Sequence, residues 1–112
     1  SAASDVYKRQ DLIILDPPAF AKHKKVLNNA LQGYRKLNAK AFEKIRPGGI
    51  LFTFSCSQVV SKENFRLAVF SAAAQSGRNV RILHQLTQPA DHPVNIYHPE
   101  GEYLKGLVLY VE

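Results

Sequence analysis

The fold is decided by the stretch Leu12-Ile13-Ile14-Leu15-Asp16-Pro17-Pro18, in which a short apolar run stops at an acidic residue and two prolines. Such a run is typical of a strand covered on both faces, and proline ends it because proline cannot donate to the ladder. A second apolar run, from Ile50 to Phe54, ends in Ser55-Cys56-Ser57. A helical connection would make the two strands parallel, so Asp16 and Cys56 are predicted at one edge of the sheet.

The segment between these strands has helical periodicity from Val26 to Ile45. Arg46-Pro47-Gly48-Gly49 should end this helix, because glycine can adopt the left-handed conformation and proline cannot extend a helix. The apolar positions predicted to form the buried face are Leu27, Ala30, Leu31, Tyr34, Leu37, Ala41 and Ile45.

The remaining residues predict a second helix and two further strands. Ser61 is the expected N-cap of a helix that runs to about Gln75, with Gly77 after its end. Strands are predicted over 79–86 and 104–111, with an irregular proline-rich loop between them. The chain is therefore predicted to be α/β, in the order strand, helix, strand, helix, strand, long loop, strand.

Composition narrows the class of protein. The 112 residues, 46% of them hydrophobic, suit a single domain. A net charge of +6 favours an acidic partner such as RNA, although basic charge alone is weak evidence. One cysteine excludes an internal disulfide, which favours a reducing, cytoplasmic setting, and the four scattered histidines lack metal-ligand spacing. No apolar run approaches the roughly 20 residues needed to cross a bilayer, so no membrane association is expected.

Residues 1–10, SAASDVYKRQ, have no sustained periodicity and are interpreted as a non-native leader or a linker. The first strand would occupy a sheet edge if nothing preceded it, and an uncovered apolar edge is an aggregation liability. Both features lead us to expect that the natural protein has further structure upstream.

An ordered set of motifs makes residues 11–112 resemble the C-terminal half of a class I S-adenosylmethionine (SAM)-dependent methyltransferase catalytic domain. They are most similar to the bacterial family that methylates carbon 5 of cytosine in 23S ribosomal RNA. The resemblance implies a partial Rossmann-like sheet, strands four to seven with the last pair antiparallel, and helices on the faces. The motifs are Asp16-Pro17-Pro18-x-Phe20, Gly33-Tyr34, Pro47-Gly48-Gly49, Phe54-Ser55-Cys56-Ser57, Ala90-Asp91-His92-Pro93 and Pro99-Glu100-Gly101-x-Tyr103-Leu104-Lys105-Gly106.

The same resemblance implies a cofactor, SAM, and ribosomal RNA as partner, with a homodimer as a candidate assembly of the intact protein. The family's glycine-rich turn and ribose-binding acidic residue are absent from these residues, as is its RNA-binding domain. This chain alone is therefore expected to bind SAM poorly or not at all. Asp16 and Pro17 are the positions expected to touch it.

Cys56 and Asp16 are the catalytic residues that the resemblance implies. A Cys56 thiolate would add to carbon 6 of cytosine. Asp16 would hydrogen-bond the ring nitrogen at position 3 in a protonated form that partial burial favours, or would balance the charge there as the adduct forms. Each has a structural alternative, since a lone cysteine is often a small buried hydrophobe and aspartate commonly caps a turn made by prolines.

Further residues are expected to contact the substrate. Pro17 and Pro18 would direct backbone carbonyls toward the exocyclic amine, Phe20 would stack on an extracted base or belong to the core, and Lys22 would meet phosphates or simply be solvated. Ser55 and Ser57 flank the nucleophile as polar neighbours. Related RNA enzymes carry a second cysteine where this chain has Ala19, so the proton acceptor is not identified. Glu102, Tyr103 and Lys105 are candidates for ordering the long loop against the site.

Two other functions remain open at this point. Methylation of a ring or exocyclic nitrogen would need Asp16, the prolines and an aromatic residue but no thiol. A noncatalytic RNA-binding module would use the basic face and depend on neither Asp16 nor Cys56.

Overall fold

The computed structural model describes residues 10–18, 27–88, 93–97 and 103–112, in which four strands and two helices follow one another in the predicted order. Each predicted element is present, and most ends lie within one or two residues of the expected position. The elements are β1 (Gln10–Leu15), α1 (Leu27–Lys44), β2 (Ile45–Ser55), α2 (Lys62–Ser76), β3 (Val80–Leu86) and β4 (Lys105–Val111).

The strands form one mixed sheet in the order β1-β2-β4-β3. β1 and β2 are parallel, with Leu15 opposite Thr53, whereas β4 runs antiparallel to both β2 and β3. The predicted antiparallel final pair is confirmed. Because β4 inserts between β2 and β3, the chain ends beside the centre of the sheet rather than at its edge.

Both described helices cover the same face of the sheet. Tyr34 of α1 and Phe65 of α2 make an edge-to-face contact with ring centroids 5.6 Å apart, and both side chains are fully buried. Leu51 and Leu109, which are opposite each other in β2 and β4, complete this core from the sheet side. On the other face of β1, Leu12 and Ile14 are 52% and 63% exposed, so that face carries no helix among the described residues.

The start of β2 differs from the prediction. α1 ends at Lys44, one residue from the predicted end, and passes directly into β2 at Ile45. The predicted glycine cap is wrong, because Gly48 and Gly49 lie within β2, which begins five residues before the predicted Ile50. The pairing with β1 jumps from Ile45 to Ile50, and Gly48 has a φ of 85° within this irregular segment. The turn residues therefore bulge out of β2. Arg78 stabilises this junction by donating hydrogen bonds to the carbonyls of Phe42 and Ile45.

The caps of α2 agree with the prediction. The Ser61 hydroxyl accepts a 3.0 Å hydrogen bond from the backbone N–H of Asn64. Gly77 has a φ of 72° and donates its N–H to the carbonyl of Ala74 at 3.2 Å, which closes the last turn. The Ser61 cap sets the first residue of α2 and therefore the length of the connection between Cys56 and α2.

Candidate active site

The carboxyl ends of β1 and β2 bring Asp16 and Cys56 to the same edge of the sheet, as predicted. Leu15, the last residue of β1, pairs with Thr53, and Ser55 is the last residue of β2. Asp16 and Cys56 therefore follow directly after neighbouring parallel strands. This edge is where ligands bind in open α/β sheets.

β4 brings a lysine to this edge because it runs in the opposite direction. Lys105, the first residue of β4, is opposite Ser55, and Gly106 is opposite Phe54. A Cβ atom built at Gly106 would lie 2.7 Å from the Phe54 ring, so only glycine fits beneath this aromatic side chain. The close approach allows β2 and β4 to pair up to the last residue before Cys56.

Cys56 lies between two buried serines. The Ser55 hydroxyl donates a 2.9 Å hydrogen bond to the phenol oxygen of Tyr34 and lies 3.4 Å from the backbone N–H of Ser57, which donates to it. Ser55 and Ser57 are 0% and 1% exposed, whereas Cys56 is partly exposed. The thiol is thus presented at the surface by a segment whose two neighbouring residues are fixed inside the protein.

This burial changes the expected roles of Ser55 and Ser57. Direct substrate contacts were predicted for both side chains, but neither is accessible in this structure. The reason is that odd-numbered positions of β2 face the helices, where the Ser55 hydroxyl finds Tyr34. Because both serines are buried, we expect them to hold Cys56 in place and not to contact a base.

Asp16, Pro17 and Pro18 lie at the open end of β1. Asp16 and Pro18 are exposed and Pro17 is half-buried, so the partial burial predicted for Asp16 is not found. The physical reason is that, among the described strands, β1 lies at the edge of the sheet and pairs only with β2. The predicted substrate residues Phe20 and Lys22 lie outside the described residues, as does Ala19.

Lys105 is the residue whose importance sequence reasoning underestimated. Its side chain is only 5% exposed, and its ammonium donates a 2.5 Å hydrogen bond to the carbonyl of Ser57. Burial lowers the pKa of Lys105, and the charge of the Cys56 thiolate acts in the opposite direction. The sequence feature that could have identified this buried lysine is its position at the start of an otherwise apolar strand.

A small cleft lies beside Lys105, with a volume of about 160 Å³. It is lined by Lys62, Glu63 and Arg66 from the first turns of α2, by Gln85 of β3 and by Thr87, which follows β3. Two basic groups and one acidic group thus border the cleft beside Lys105.

The SAM cofactor that the resemblance implies would need more than the described residues at this sheet edge supply. A nucleoside cofactor of this kind needs backbone donors from a glycine-rich turn and an acidic partner for its ribose. The two strand ends at this edge carry Asp16-Pro17-Pro18 and Ser55-Cys56-Ser57 instead. Asp16 and Pro17 are positioned to border a ligand at the edge, but they do not form a complete cradle for it.

The described parts of the chain contain no group of three or more His, Cys, Asp and Glu side chains arranged to hold a metal ion. Within those same parts, neither helix has the length and hydropathy of a membrane-spanning helix.

Comparison with solved structures defines the class of fold. A crystal structure described as a methyltransferase complexed with SAH superposes with a TM-score of 0.79 at 23% identity, covering 97% of this chain and 28% of that one. A structure described as a SAM-dependent methyltransferase from Streptococcus mutans gives a TM-score of 0.78 at 20% identity, with 97% and 27% covered. The chain therefore has the fold of part of a Rossmann-like methyltransferase.

Sequence comparison finds relatives named as methyltransferases of large-subunit ribosomal RNA. "Ribosomal RNA large subunit methyltransferase I" of Tolumonas auensis is 50% identical over 99 residues, which are 88% of this chain and 25% of the relative. The protein of the same name from Shewanella amazonensis is 45% identical over 107 residues, 96% of this chain and 27% of the relative. The chain thus spans about a quarter of the length of these curated relatives. No protein-family model matches it.

Proposed function

We propose that residues 11–112 form the substrate-facing part of a SAM-dependent methyltransferase that acts on carbon 5 of cytosine in large-subunit ribosomal RNA. The single observation that carries this proposal is the partly exposed Cys56 thiol, held between two buried residues at the same sheet edge as Asp16. The name of the curated relatives supports ribosomal RNA as the substrate.

The chemistry assigned to Cys56 is reversible addition to the base. Carbon 5 of cytosine is a weak nucleophile, so the Cys56 thiolate first forms an Sγ–C6 bond and moves electron density onto carbon 5. SAM would supply the methyl group, its S–CH3 bond breaking to leave S-adenosylhomocysteine. Carbon 5 would then lose its proton to a base that is not among the residues assigned here, which would let the Sγ–C6 bond break and return the thiolate.

Asp16 is proposed to hydrogen-bond the ring nitrogen at position 3 of the cytosine. Its exposure in this chain leaves the carboxyl accessible to an incoming base. The carboxyl would hydrogen-bond this nitrogen or balance the charge that develops there as the adduct forms. Pro17 and Pro18 would present backbone carbonyls beside it, while Phe20 as a stacking residue and Lys22 as a phosphate contact remain predictions from the sequence.

Ser55 and Ser57 are proposed to position the nucleophile. The Ser55 hydroxyl links Tyr34 to the backbone of Ser57, and both ends of this link are buried. Because Cys56 lies between the two serines, its backbone has little freedom to move. A fixed nucleophile reduces the entropic penalty of reaching an attack geometry.

A chimera tests the proposal with this chain's own residues. Residues 11–112 would replace the matching segment of the Tolumonas auensis relative, and methylation of ribosomal RNA would be followed by mass spectrometry of cytosine nucleosides. We expect the chimera to produce 5-methylcytosine and its Cys56→Ala variant to produce none. The unmodified relative is the positive control.

Methylation of a ring nitrogen is the alternative, since the exposed Asp16-Pro17-Pro18 segment would also suit that reaction. In that case the Cys56→Ala chimera would keep its full activity and the modified nucleoside would be an N-methyl derivative. A noncatalytic RNA-binding role would instead give salt-sensitive RNA binding, without turnover, that depends on neither Asp16 nor Cys56.

A further inference from the structure

The cleft between α2 and β4 has more basic than acidic groups in its lining. Its volume is about 160 Å³, and it is bordered by three basic side chains and one acidic side chain: Lys62, Arg66, Lys105 and Glu63. Among the described residues, Glu63 forms no ion pair with Arg66 or Lys105. A concave surface with an excess of one charge concentrates ions of the opposite charge. The lining of this cleft is therefore suited to an anion.

Lys105 contributes a buried cation to the cleft. The residue is 5% exposed, and the described residues give its ammonium one acceptor, the carbonyl of Ser57 at 2.5 Å. An ammonium has three N–H donors, and no carboxylate in the described parts of the chain forms an ion pair with this one. Lysine is almost never this buried unless it is paired, so the positive charge of Lys105 calls for an anionic partner.

Arg66 and Lys62 approach the cleft from α2. They are four residues apart and therefore lie on the same face of the helix. Arg66 is exposed, and its guanidinium has a planar set of donors that matches two oxygens of a phosphate. The first turn of α2 also borders the cleft, and the positive end of a helix dipole favours an anion there.

The cleft adjoins the segment that carries Cys56. Lys105 is opposite Ser55 in the pairing of β2 and β4, and it donates to the carbonyl of Ser57. The residues on both sides of Cys56 are thus neighbours of a residue that lines the cleft. When a base of an RNA strand reaches Cys56, the phosphates of that strand are the anions that must come close to this segment.

We propose that the cleft between α2 and β4 binds a phosphate group of the RNA strand that carries the target base, with Arg66 and Lys105 as the principal donors. This assignment rests on the proposed function. The contact carries no sequence information, because every nucleotide has a phosphate, but it fixes the position of the strand. It holds the RNA backbone beside Cys56 while the base is extracted from its stack.

A short oligouridylate tests this contact without the target base. Its affinity for the 112-residue chain would be measured by fluorescence anisotropy at several salt concentrations. The variants are Arg66→Met, Lys105→Met and Glu63→Gln, and the control is Lys40→Met, which removes an exposed lysine from α1. Circular dichroism would check that each variant is folded.

Arg66→Met and Lys105→Met should each weaken binding about tenfold at low salt, as expected for the loss of a charge-assisted hydrogen bond. Each should also reduce the slope of log Kd against log salt concentration by about 0.7, the value for one phosphate of a single strand. Glu63→Gln should strengthen binding about twofold to fivefold, because it removes the acidic group from the lining. Lys40→Met should change neither quantity. Equal affinities and slopes for the unmodified chain and a folded Arg66→Met variant would overturn the proposal.

Inorganic phosphate locates the site if Lys105→Met does not fold. NMR spectra of the isotope-labelled, unmodified chain would be recorded during a phosphate titration at constant ionic strength. The backbone amides of Lys62, Arg66 and Lys105 should shift and saturate. Acetate serves as the comparison, because a carboxylate of a different ligand could also enter a basic cleft, and it should cause smaller shifts. Unchanged amides at these positions, or equal shifts with acetate, would contradict the assignment to phosphate.

These measurements use neither the target cytosine nor SAM. Oligouridylate binding that depends on Arg66, together with an active Cys56→Ala chimera, would refute the proposed function and leave the phosphate site in place. A chimera that requires Cys56, in a chain whose RNA affinity does not depend on Arg66, would refute only the phosphate site.

Discussion

The hydroxyl of Ser55 donates a 2.9 Å hydrogen bond to the phenol oxygen of Tyr34, which joins the middle of α1 to the last residue of β2. Both residues are fully buried, and Tyr34 also packs edge-to-face on Phe65. The helix face that builds the core is therefore also the support of the segment that carries Cys56.

Tyr34→Phe should destabilise the chain although it preserves the ring and its packing. The Ser55 hydroxyl would lose its acceptor in a buried site, which costs roughly 1–3 kcal/mol in free energy of unfolding. Urea denaturation would measure the change. Tyr97→Phe, at a residue 85% exposed, is the matched control and should change stability by less than about 0.5 kcal/mol. Equal stabilities for the two variants would contradict this account of the support.

Gly106→Ala should destabilise the sheet, because its Cβ would approach the Phe54 ring to 2.7 Å and the Leu86 Cβ to 3.1 Å. Overpacking of this kind costs about 1–3 kcal/mol. A double-mutant cycle with Phe54→Leu, measured by thermal or urea unfolding, should recover part of that loss because the smaller side chain leaves room for the methyl group. If the changes in unfolding free energy of the two substitutions simply add, the contact with the Phe54 ring is not the cause of the destabilisation.

Ile14→Lys should reduce self-association of the 112-residue chain without unfolding it. Ile14 is 63% exposed on the edge strand β1, and a charge there blocks edge-to-edge pairing. Ile13, the adjacent residue, packs against the core, so Ile13→Lys should instead lower stability sharply. Sedimentation velocity at several concentrations and thermal unfolding would separate the two effects. Unchanged self-association of the Ile14→Lys variant would show that β1 is not the surface through which the chain self-associates.

Lys105 should make the stability of the fold depend on pH in the alkaline range. Burial lowers its pKa in the folded state below the 10.5 expected when unfolded, so the unfolded chain binds more protons between these two values. The contribution of Lys105 to stability should therefore rise as pH increases through this window and stay constant below it. Comparing Lys105→Met with its parent, both in a Cys56→Ser background, isolates this effect in urea denaturation at pH 7 and pH 10. A difference between the two proteins that is the same at both pH values would contradict it.

Much of the fold could be predicted from local patterns. Ser61 and Gly77 mark the ends of α2 because capping depends on residues close in sequence, and both caps have the expected geometry. The placement of Asp16 and Cys56 at one edge followed from the parallel connection of β1 and β2, which is itself a consequence of an intervening helix.

The rest depended on contacts that are distant in sequence. The burial of Ser55 and Ser57 arises from Tyr34, 21 positions before Ser55, and from Lys105, 48 positions after Ser57. In the sequence, polar residues beside a reactive group suggest contacts with a substrate. In the folded protein, these two side chains are buried and the bonds they make are to other parts of the chain. The bulge after Ile45 was also missed, because it depends on the pairing of β2 with β1 and β4.

The most direct test of the central claim is a search for a covalent bond between Cys56 and its substrate. The chimera that carries residues 11–112 would be incubated with SAM and ribosomal RNA that contains 5-fluorocytosine, whose fluorine cannot leave as the proton does. We predict a denaturation-resistant protein–RNA adduct that mass spectrometry maps to Cys56 and that Cys56→Ala abolishes. A chimera that methylates ordinary ribosomal RNA but forms no adduct with the fluorinated substrate would contradict the assignment of Cys56 as the nucleophile.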